Sequence, residues 1–219
     1  MIAVLITSGG MGLRFQASSL GLKENVGLKE NLPKQFLKIN GERILTKTIN
    51  VFKEFADFLI VSIPAEYEEF FKMEYPEINY CIGGGTRQKS VFNALLQIKN
   101  ADYVLITDAV RPFVSKELIQ NVIKELRGGE KGVIPAIPMH DTVKKSQNGY
   151  IVETLNREEI FSVQTPQGFD FKTIKALHRK YKNENFSDDS LLFEMEKIPV
   201  KMILGEKSNI KITTPEDLK

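Results

Sequence analysis

Short apolar runs alternate along the chain with longer segments whose apolar residues recur at three- and four-residue spacing. Several runs are apolar at consecutive positions, as in strands that are buried on both faces of a sheet. Helical spacing occupies residues 44–55, 90–100 and 115–129, and the last of these starts at an N-cap residue type, Ser115. Strands that alternate with helices predict βαβ units, and hence an α/β fold with a doubly wound, mostly parallel, Rossmann-like sheet. The predicted strands lie at residues 2–8, 57–64, 78–84, 102–109 and 131–139.

The pattern changes after Met139. Residues 142–156 are mostly polar and alternate around Asn148-Gly149, a dipeptide that is a strong hairpin turn signal. A hairpin with so little apolar content cannot bury itself, so we expect residues 140–156 to project as an arm from a single domain that spans residues 1–219. The later elements predicted are helices at 170–181 and 187–197, a strand at 200–206, and another strand that contains Lys211.

The composition argues against several classes of protein. Its 30 basic and 28 acidic side chains are interspersed, whereas nucleic-acid-binding proteins usually have a clustered basic face. Cys81 is the only cysteine, and His140 and His178 lie far apart, so we expect neither a disulfide nor a zinc site. The apolar runs are far shorter than the ~20 residues of a membrane span, and no signal peptide precedes the first strand. We therefore expect a cytoplasmic protein without nucleic-acid or membrane partners.

Glycine-rich stretches follow two of the predicted strands. SGGMGLRF (8–15) has glycines that let backbone N–H groups approach a phosphate, although a tight turn without a ligand also favours them. Phe15 stands where a dinucleotide-binding motif has its third glycine. GGGTRQKS (83–90) nearly matches a P-loop, but Gln88 replaces the glycine that such a loop needs. Neither stretch alone identifies a function.

Charged residues follow the strand at 102–109. Asp108 offers a hard oxygen ligand and Arg111 a fork of donors, which suits a magnesium-bound polyphosphate; a structural ion pair is the alternative. Lys211, considered alone, is typical of a solvated surface.

These stretches, taken together and in this order, resemble the 2-C-methyl-D-erythritol 4-phosphate cytidylyltransferases over essentially the whole chain. The resemblance implies transfer of CMP from CTP to the sugar-alcohol phosphate, with release of pyrophosphate, in non-mevalonate isoprenoid synthesis. It also implies Mg²⁺ as cofactor and a homodimer in which the arm pairs with the second subunit. The stretches that carry the resemblance are SGGMGLRF (8–15), PKQF (33–36), GGGTRQKSV (83–91), TDAVRPF (107–113), DTVK (141–144), TLNREEIFSVQTPQGF (154–169), SDDS (187–190) and NIKITTPEDL (209–218).

Site residues are carried over from that family wherever the motif matches. The resemblance implies catalytic roles for Arg14, Lys34, Asp108 and Lys211, with Asp108 also meeting the magnesium ion. It implies that the nucleotide is bound by Ser8, Gly9, Gly10, Gly12, Gly84, Gly85, Ser90 and Ala109. It implies that the sugar phosphate is bound by Arg111, Thr142, Arg157 and Thr165, of which Thr142 and Arg157 serve the site of the neighbouring subunit.

The chemistry agrees with a site built from cations. A phosphate monoester has its second pKa near 6, so the attacking oxygen is already an anion at pH 7 and needs no general base. The obstacle is bringing this anion to a triphosphate, which positioning and charge neutralisation overcome. The sequence GLKEN occurs twice in residues 21–31, between Arg14 and Lys34. Such a duplication is expected in a surface loop.

Two alternatives from the sequence concern substrate and activity. Ser8-Gly9-Gly10 is more like the ribitol-5-phosphate cytidylyltransferases, while Thr142 and Arg157 favour the methylerythritol type. A nucleotide-binding regulator that has lost catalysis is the other alternative, and the presence of all four expected catalytic residues argues against it. A nicotinamide dehydrogenase is disfavoured by the missing third glycine.

Overall fold

The computed structural model describes residues 1–8 and 32–218, and the elements below lie within these two ranges. The strands are β1 (Ile2–Thr7), β2 (Lys38–Ile39), β3 (Glu42–Arg43), β4 (Phe58–Ile63), β5 (Asn79–Ile82), β6 (Tyr103–Asp108), β7 (Gly132–Pro138), β8 (Lys144–Gln147), β9 (Tyr150–Thr154), β10 (Phe161–Val163), β11 (Gln167–Asp170) and β12 (Lys201–Leu204). The α-helices are α1 (Ile44–Lys53), α2 (Glu68–Glu74), α3 (Arg87–Gln97), α4 (Lys116–Arg127), α5 (Phe171–Lys180) and α6 (Leu191–Met195).

A central sheet has the strand order β10-β7-β11-β6-β1-β4-β5, with β12 also paired to β7. β1 runs parallel to β4 and β6, β5 continues parallel to β4, and β12 is parallel to β7. The short strands β10 and β11 run antiparallel to their neighbours, and the sequence reading had not predicted either of them. The predicted α/β fold with a mostly parallel sheet is confirmed.

Helices cover both faces of this sheet, and alternate residues of β1 point into the two cores. Val4 and Ile6 pack with residues of α1, α2 and α4, whereas Ala3 and Leu5 pack with residues of α3, α5 and α6. All four side chains are fully buried. Burial on both faces is the reason why the run at the start of the chain has no polar residue in alternation.

Helix ends follow local capping. Ser115 accepts a hydrogen bond from the backbone N–H of Leu118 at 2.9 Å, so α4 begins where the sequence predicts. The prediction of a helix start at Ser90 is wrong by three residues, because Thr86 caps α3 by accepting the N–H of Lys89 at 3.2 Å. The predicted helix at 187–197 is shortened to α6, because Asp188 accepts the N–H of Ser190 at 2.8 Å before the helix begins.

Strands β8 and β9 form the predicted hairpin. Asn148 and Gly149 have φ values of 51° and 83°, the left-handed pair that a two-residue Asn-Gly turn requires. Every residue of the two strands is exposed, and among the described residues they pair only with each other. The role of this hairpin in dimerisation stays a prediction. The assignment of the whole chain to a single domain also stays a prediction.

The prediction that Lys211 lies in a strand is wrong. The segment at 209–214 has no regular structure, although the N–H of Ile212 donates to the carbonyl of Val110 at 2.9 Å. This bond is one of those that tie the segment to the turn that follows β6. Within the described residues, no helix has the length and apolar character that crossing a membrane requires.

Candidate active site

The carboxyl ends of four parallel strands meet at one edge of the sheet. The N–H of Ser8, just after β1, donates to the carbonyl of Ser62 in β4 at 2.9 Å, and the N–H of Gly83, just after β5, donates to Ile63 at 2.8 Å. The N–H of Ala109, just after β6, donates to Thr7 at 3.0 Å. In open α/β sheets this edge is where ligands bind. The backbone therefore places three of the sequence-predicted stretches side by side.

A buried carboxylate, Asp108, lies at the end of β6 with cations around it. Its Oδ2 is 2.9 Å from the Nζ of Lys211 and 3.6 Å from the Nε of Arg111. Burial alone would raise the pKa of Asp108, but the charges of Lys211 and Arg87 outweigh this effect and hold the pKa below its ordinary value. Asp108 is therefore ionised and able to bind a cation.

Asn209 connects Arg111 to the segment that carries Lys211. The Nη1 of Arg111 donates to the carbonyl of Asn209 at 2.6 Å, and the side chain of Asn209 donates to the carbonyl of Thr165 at 2.8 Å. Burial lowers the pKa of Arg111, and the charge of Asp108 offsets only part of this. The irregular segment is thus fixed to both the β6 turn and the loop before β11.

The hydroxyl of Thr165 holds the backbone of Asp108. Its Oγ1 accepts the N–H of Asp108 at 3.1 Å and lies 3.1 Å from the Oγ1 of Thr107. Thr165 is buried, so in this structure it positions the carboxylate. The sequence-based role of Thr165 in binding the sugar phosphate stays a prediction.

The short 3-10 helix Lys34–Phe36 joins the end of β1 to the segment that carries Lys211. Gln35 donates to the carbonyl of Ser8 at 2.8 Å, and the Nζ of Lys34 donates to the carbonyl of Ile212 at 2.8 Å. Since Ile212 directly follows Lys211, Lys34 is bound to the segment that carries the other predicted catalytic lysine. Ala109 is buried there as well, and its carbonyl accepts the hydroxyl of Thr48 at 2.9 Å.

The turn between β5 and α3 is closed by Ser90. Its buried Oγ accepts the N–H of Gly84 at 3.0 Å and donates to the carbonyl of Thr86 at 2.9 Å. A Cβ on Gly84 would lie 2.2 Å from the Cβ of Lys89, whereas a Cβ on Gly85 would meet no atom within 4 Å. Gly84 is therefore required by the turn itself, and Gly85 faces open space.

Thr142 and Arg157 lie at the base of the arm and are exposed. The Nη1 of Arg157 donates to the carbonyl of His140 at 3.0 Å. Among the described residues, neither Thr142 nor Arg157 forms an ion pair or hydrogen bond with the residues around Asp108. The four residues predicted before or within the first loop fall outside the described ranges: Gly9, Gly10, Gly12 and Arg14.

A family model described as 2-C-methyl-D-erythritol 4-phosphate cytidylyltransferase matches residues 2–219. The chain belongs to this family. A Clostridium botulinum protein of that name is 38% identical over 232 residues, which cover 100% of this chain and 96% of the relative. A Wolbachia pipientis protein named bifunctional enzyme IspD/IspF is 36% identical, with 99% of this chain and 54% of that protein covered.

Solved structures agree with this family membership. The crystal structure of 4-diphosphocytidyl-2C-methyl-D-erythritol synthase from Anaerococcus prevotii is 34% identical to this chain, with a TM-score of 0.81. The match covers 100% of this chain and 92% of that one. The resemblance inferred from the sequence is confirmed.

Asp108 is the only metal ligand that the family resemblance predicts for this site. The described residues contain no group of three or more His, Cys, Asp and Glu side chains able to hold a metal ion. Mg²⁺ is commonly held by one or two carboxylates together with substrate phosphates and water, so a single buried, ionised Asp108 fits an ion that arrives with a nucleotide.

Sequence reasoning missed a second charged cluster beside this site. The Nη2 of Arg87 lies 2.6 Å from the Oδ2 of Asp189, and the Nε2 of His178 lies 3.2 Å from the Oδ1 of Asp189. Arg87 and Asp189 both belong to stretches that carry the family resemblance, GGGTRQKSV and SDDS. An aspartate pair that follows an exposed loop is ordinary in sequence, and only the fold brings it to Arg87.

We predict that Gly84→Ala destabilises the fold and that Gly85→Ala does not. The new Cβ at Gly84 collides with Lys89, so the turn must shift, which costs about 1–3 kcal/mol of the free energy of unfolding. Gly85→Ala, the matched control, changes this free energy by less than about 0.5 kcal/mol. Urea unfolding of the two variants measures both values, and equal losses would contradict the close approach at Gly84.

Proposed function

We propose that this protein transfers CMP from CTP to 2-C-methyl-D-erythritol 4-phosphate and releases pyrophosphate, as a step of non-mevalonate isoprenoid precursor synthesis. The observation that carries the proposal is the meeting of Lys211 and Arg111 at the carboxylate of Asp108, with Lys34 bound to the carbonyl of Ile212, the residue after Lys211. Family membership supports the same reaction. The cytoplasmic location expected from the sequence stays a prediction.

The reaction joins two anions, and its main requirement is a set of positioned cations. An oxygen of the acceptor phosphate attacks the α-phosphorus of CTP, the new P–O bond forms, and the bond to the β-phosphate breaks with pyrophosphate as the leaving group. Because the acceptor phosphate is largely ionised at pH 7, the attacking oxygen needs no base. Lys34 and Lys211 neutralise charge as the phosphorus becomes crowded, which lowers the barrier more than it stabilises the separate substrates.

Asp108 is the residue that we propose to hold Mg²⁺. When bound, the ion supplies charge neutralisation at the CTP phosphates. Lys211 is the main ion-pair partner of the Asp108 carboxylate, at 2.9 Å. Asp108 would hold the ion, and Lys211 would supply a further positive charge for the phosphates.

Pyrophosphate release tests the reaction and the acceptor together. We expect release from CTP and Mg²⁺ with 2-C-methyl-D-erythritol 4-phosphate, and little with ribitol 5-phosphate or without an acceptor. Faster release with ribitol 5-phosphate would reverse the choice of substrate that Thr142 and Arg157 favour. CTP binding without release for either acceptor would support the catalytically inactive alternative.

We predict that Lys34→Ala and Lys211→Ala each lower kcat/KM by roughly 10²–10³, the cost of removing one group that stabilises transition-state charge. Lys124→Ala is the control, since Lys124 is exposed on α4 away from the strand ends. Steady-state pyrophosphate release measures all three variants. Unchanged turnover in both site variants would refute the cationic mechanism.

We also propose that the chain forms a homodimer through the arm. Tyr150, Ile151 and Val152 in β9 expose 79%, 69% and 56% of their surface, an apolar stretch with no cover among the described residues. Pairing with a second copy buries these side chains and supports the sequence-based view that Thr142 and Arg157 serve the neighbouring subunit.

We predict that the double variant Ile151→Asp/Val152→Asp is monomeric. Successive residues of a strand point to opposite faces, so the two changes place charge on both faces of β9. Sedimentation velocity reports the state of assembly, with Gln147→Glu as a control that adds charge to the arm and keeps its apolar surface. The unchanged chain sedimenting as a fully active monomer would rule out the dimer.

A further inference from the structure

A buried ion pair fixes the first residue of α3 beside the strand ends. The Nη2 of Arg87 lies 2.6 Å from the Oδ2 of Asp189, whose side chain is only 2% exposed. His178 contacts the other oxygen of Asp189 at 3.2 Å and its ring stacks on that of Phe92 with an interplanar angle of 6°. Asp189 thus has a cation on one oxygen and a buried imidazole on the other, which leaves its carboxylate one orientation.

The Arg87 side chain is held at one end only. A guanidinium has five N–H donors in a planar fork, and the contact with Asp189 engages one nitrogen. Among the described residues, no other group accepts a hydrogen bond from Arg87, and its side chain is 24% exposed. The remaining donors therefore have no partner among the described residues, and part of the side chain is exposed.

Arg87 lies at the edge of the sheet where β6 ends in Asp108. It begins α3 directly after the β5 turn, in which the N–H of Gly83 donates to the carbonyl of Ile63 at the end of β4 at 2.8 Å. Arg87 also follows Gly85, where the backbone faces open space. Arg111 and Lys211 reach Asp108 from the segments after β6 and β12, whereas Arg87 comes from the helix after β5. The cations thus come from at least three segments.

We propose that Arg87 binds the phosphates of CTP and that Asp189, itself held by His178, is the residue that positions it. This inference rests on the proposed function. The planar guanidinium matches a phosphate in bidentate geometry, and a carboxylate behind it keeps the fork from rotating. Because Asp189 compensates the charge of Arg87, the pair adds directed donors to the site without adding net charge.

A purely structural ion pair makes a different prediction. It would tether α3 to the segment before α6, a link that Gln88 already makes by donating to the carbonyl of Tyr181 at 2.8 Å and accepting the N–H of Phe186 at 2.9 Å. Loss of a tether moves the whole turn, so it lowers the affinity for CTP and for cytidine equally. Loss of a group that binds phosphate lowers the affinity for CTP and leaves that for cytidine unchanged.

The test compares the affinity for CTP, by titration calorimetry with Mg²⁺, and for cytidine, by ligand-detected NMR. Arg87→Gln is expected to lower the affinity for CTP by roughly 10- to 100-fold, as for a lost hydrogen bond to a charged group. The affinity for cytidine is expected to change by less than about threefold. Arg87→Lys keeps a cation opposite Asp189 and so controls for unfolding caused by loss of the ion pair. It is expected to lose part of the CTP affinity, because lysine lacks the planar fork of donors. Arg179→Gln, on the exposed side of α5, is the control and binds both ligands normally.

A double-mutant cycle tests the positioning role of Asp189. Asp189→Asn keeps the shape of the side chain. We expect it to lower the affinity for CTP when Arg87 is present but not in the Arg87→Gln variant, because Asp189 acts through Arg87. Additive losses would contradict this role. Equal loss of CTP and cytidine affinity in Arg87→Gln, or no loss of either, would overturn the phosphate contact while leaving the proposed reaction standing. An unchanged protein that does not bind CTP at all would overturn both.

Discussion

The site depends on keeping one buried carboxylate ionised at the end of β6. Asp108 is 8% exposed, and an isolated charge at that depth would be strongly disfavoured. The fold supplies basic side chains to it from segments far apart in sequence: Arg111 after β6 and Lys211 near the C-terminus contact it, and Arg87, the first residue of α3, contributes its charge. Each contact requires a different part of the chain to be in place. The ionised state of Asp108 therefore depends on these segments having folded together.

The same arrangement explains how a site without a general base can act. Cations that stabilise Asp108 in the free chain exceed it in number, so the region is ready for a polyanion. In the proposed reaction a triphosphate would meet cations that are already positioned, so little reorganisation would be needed at the moment of reaction. The Nζ of Lys211 lies 2.9 Å from the Oδ2 of Asp108, so this lysine is beside the carboxylate that we propose as the metal ligand.

The parts that sequence predicted are those fixed by local or periodic signals. The strand at residues 2–8 was predictable because both faces are apolar, the helix start at Ser115 because the cap is local, and the arm because Asn-Gly selects its turn. The path of residues 209–214 was not, since its hydrogen bonds go to distant partners such as Val110. The pairing of Arg87 with Asp189 was likewise invisible, because alternation and spacing carry no information on which buried charges meet.

The placement of Lys34 shows why a duplicated stretch before it is tolerated. Gln35 bonds the carbonyl of Ser8 across a separation of 27 positions, and Lys34 bonds Ile212 across 178 positions. Phe36 is fully buried beside them, so the lysine is positioned by the core and by the segment that carries Lys211. The two ends of the intervening chain are thus fixed by contacts outside it. This agrees with the sequence-based prediction of a surface loop: the entropy of closing a loop grows only with the logarithm of its length, about 0.6 kcal/mol for each doubling, so a second copy of GLKEN in such a loop would cost little.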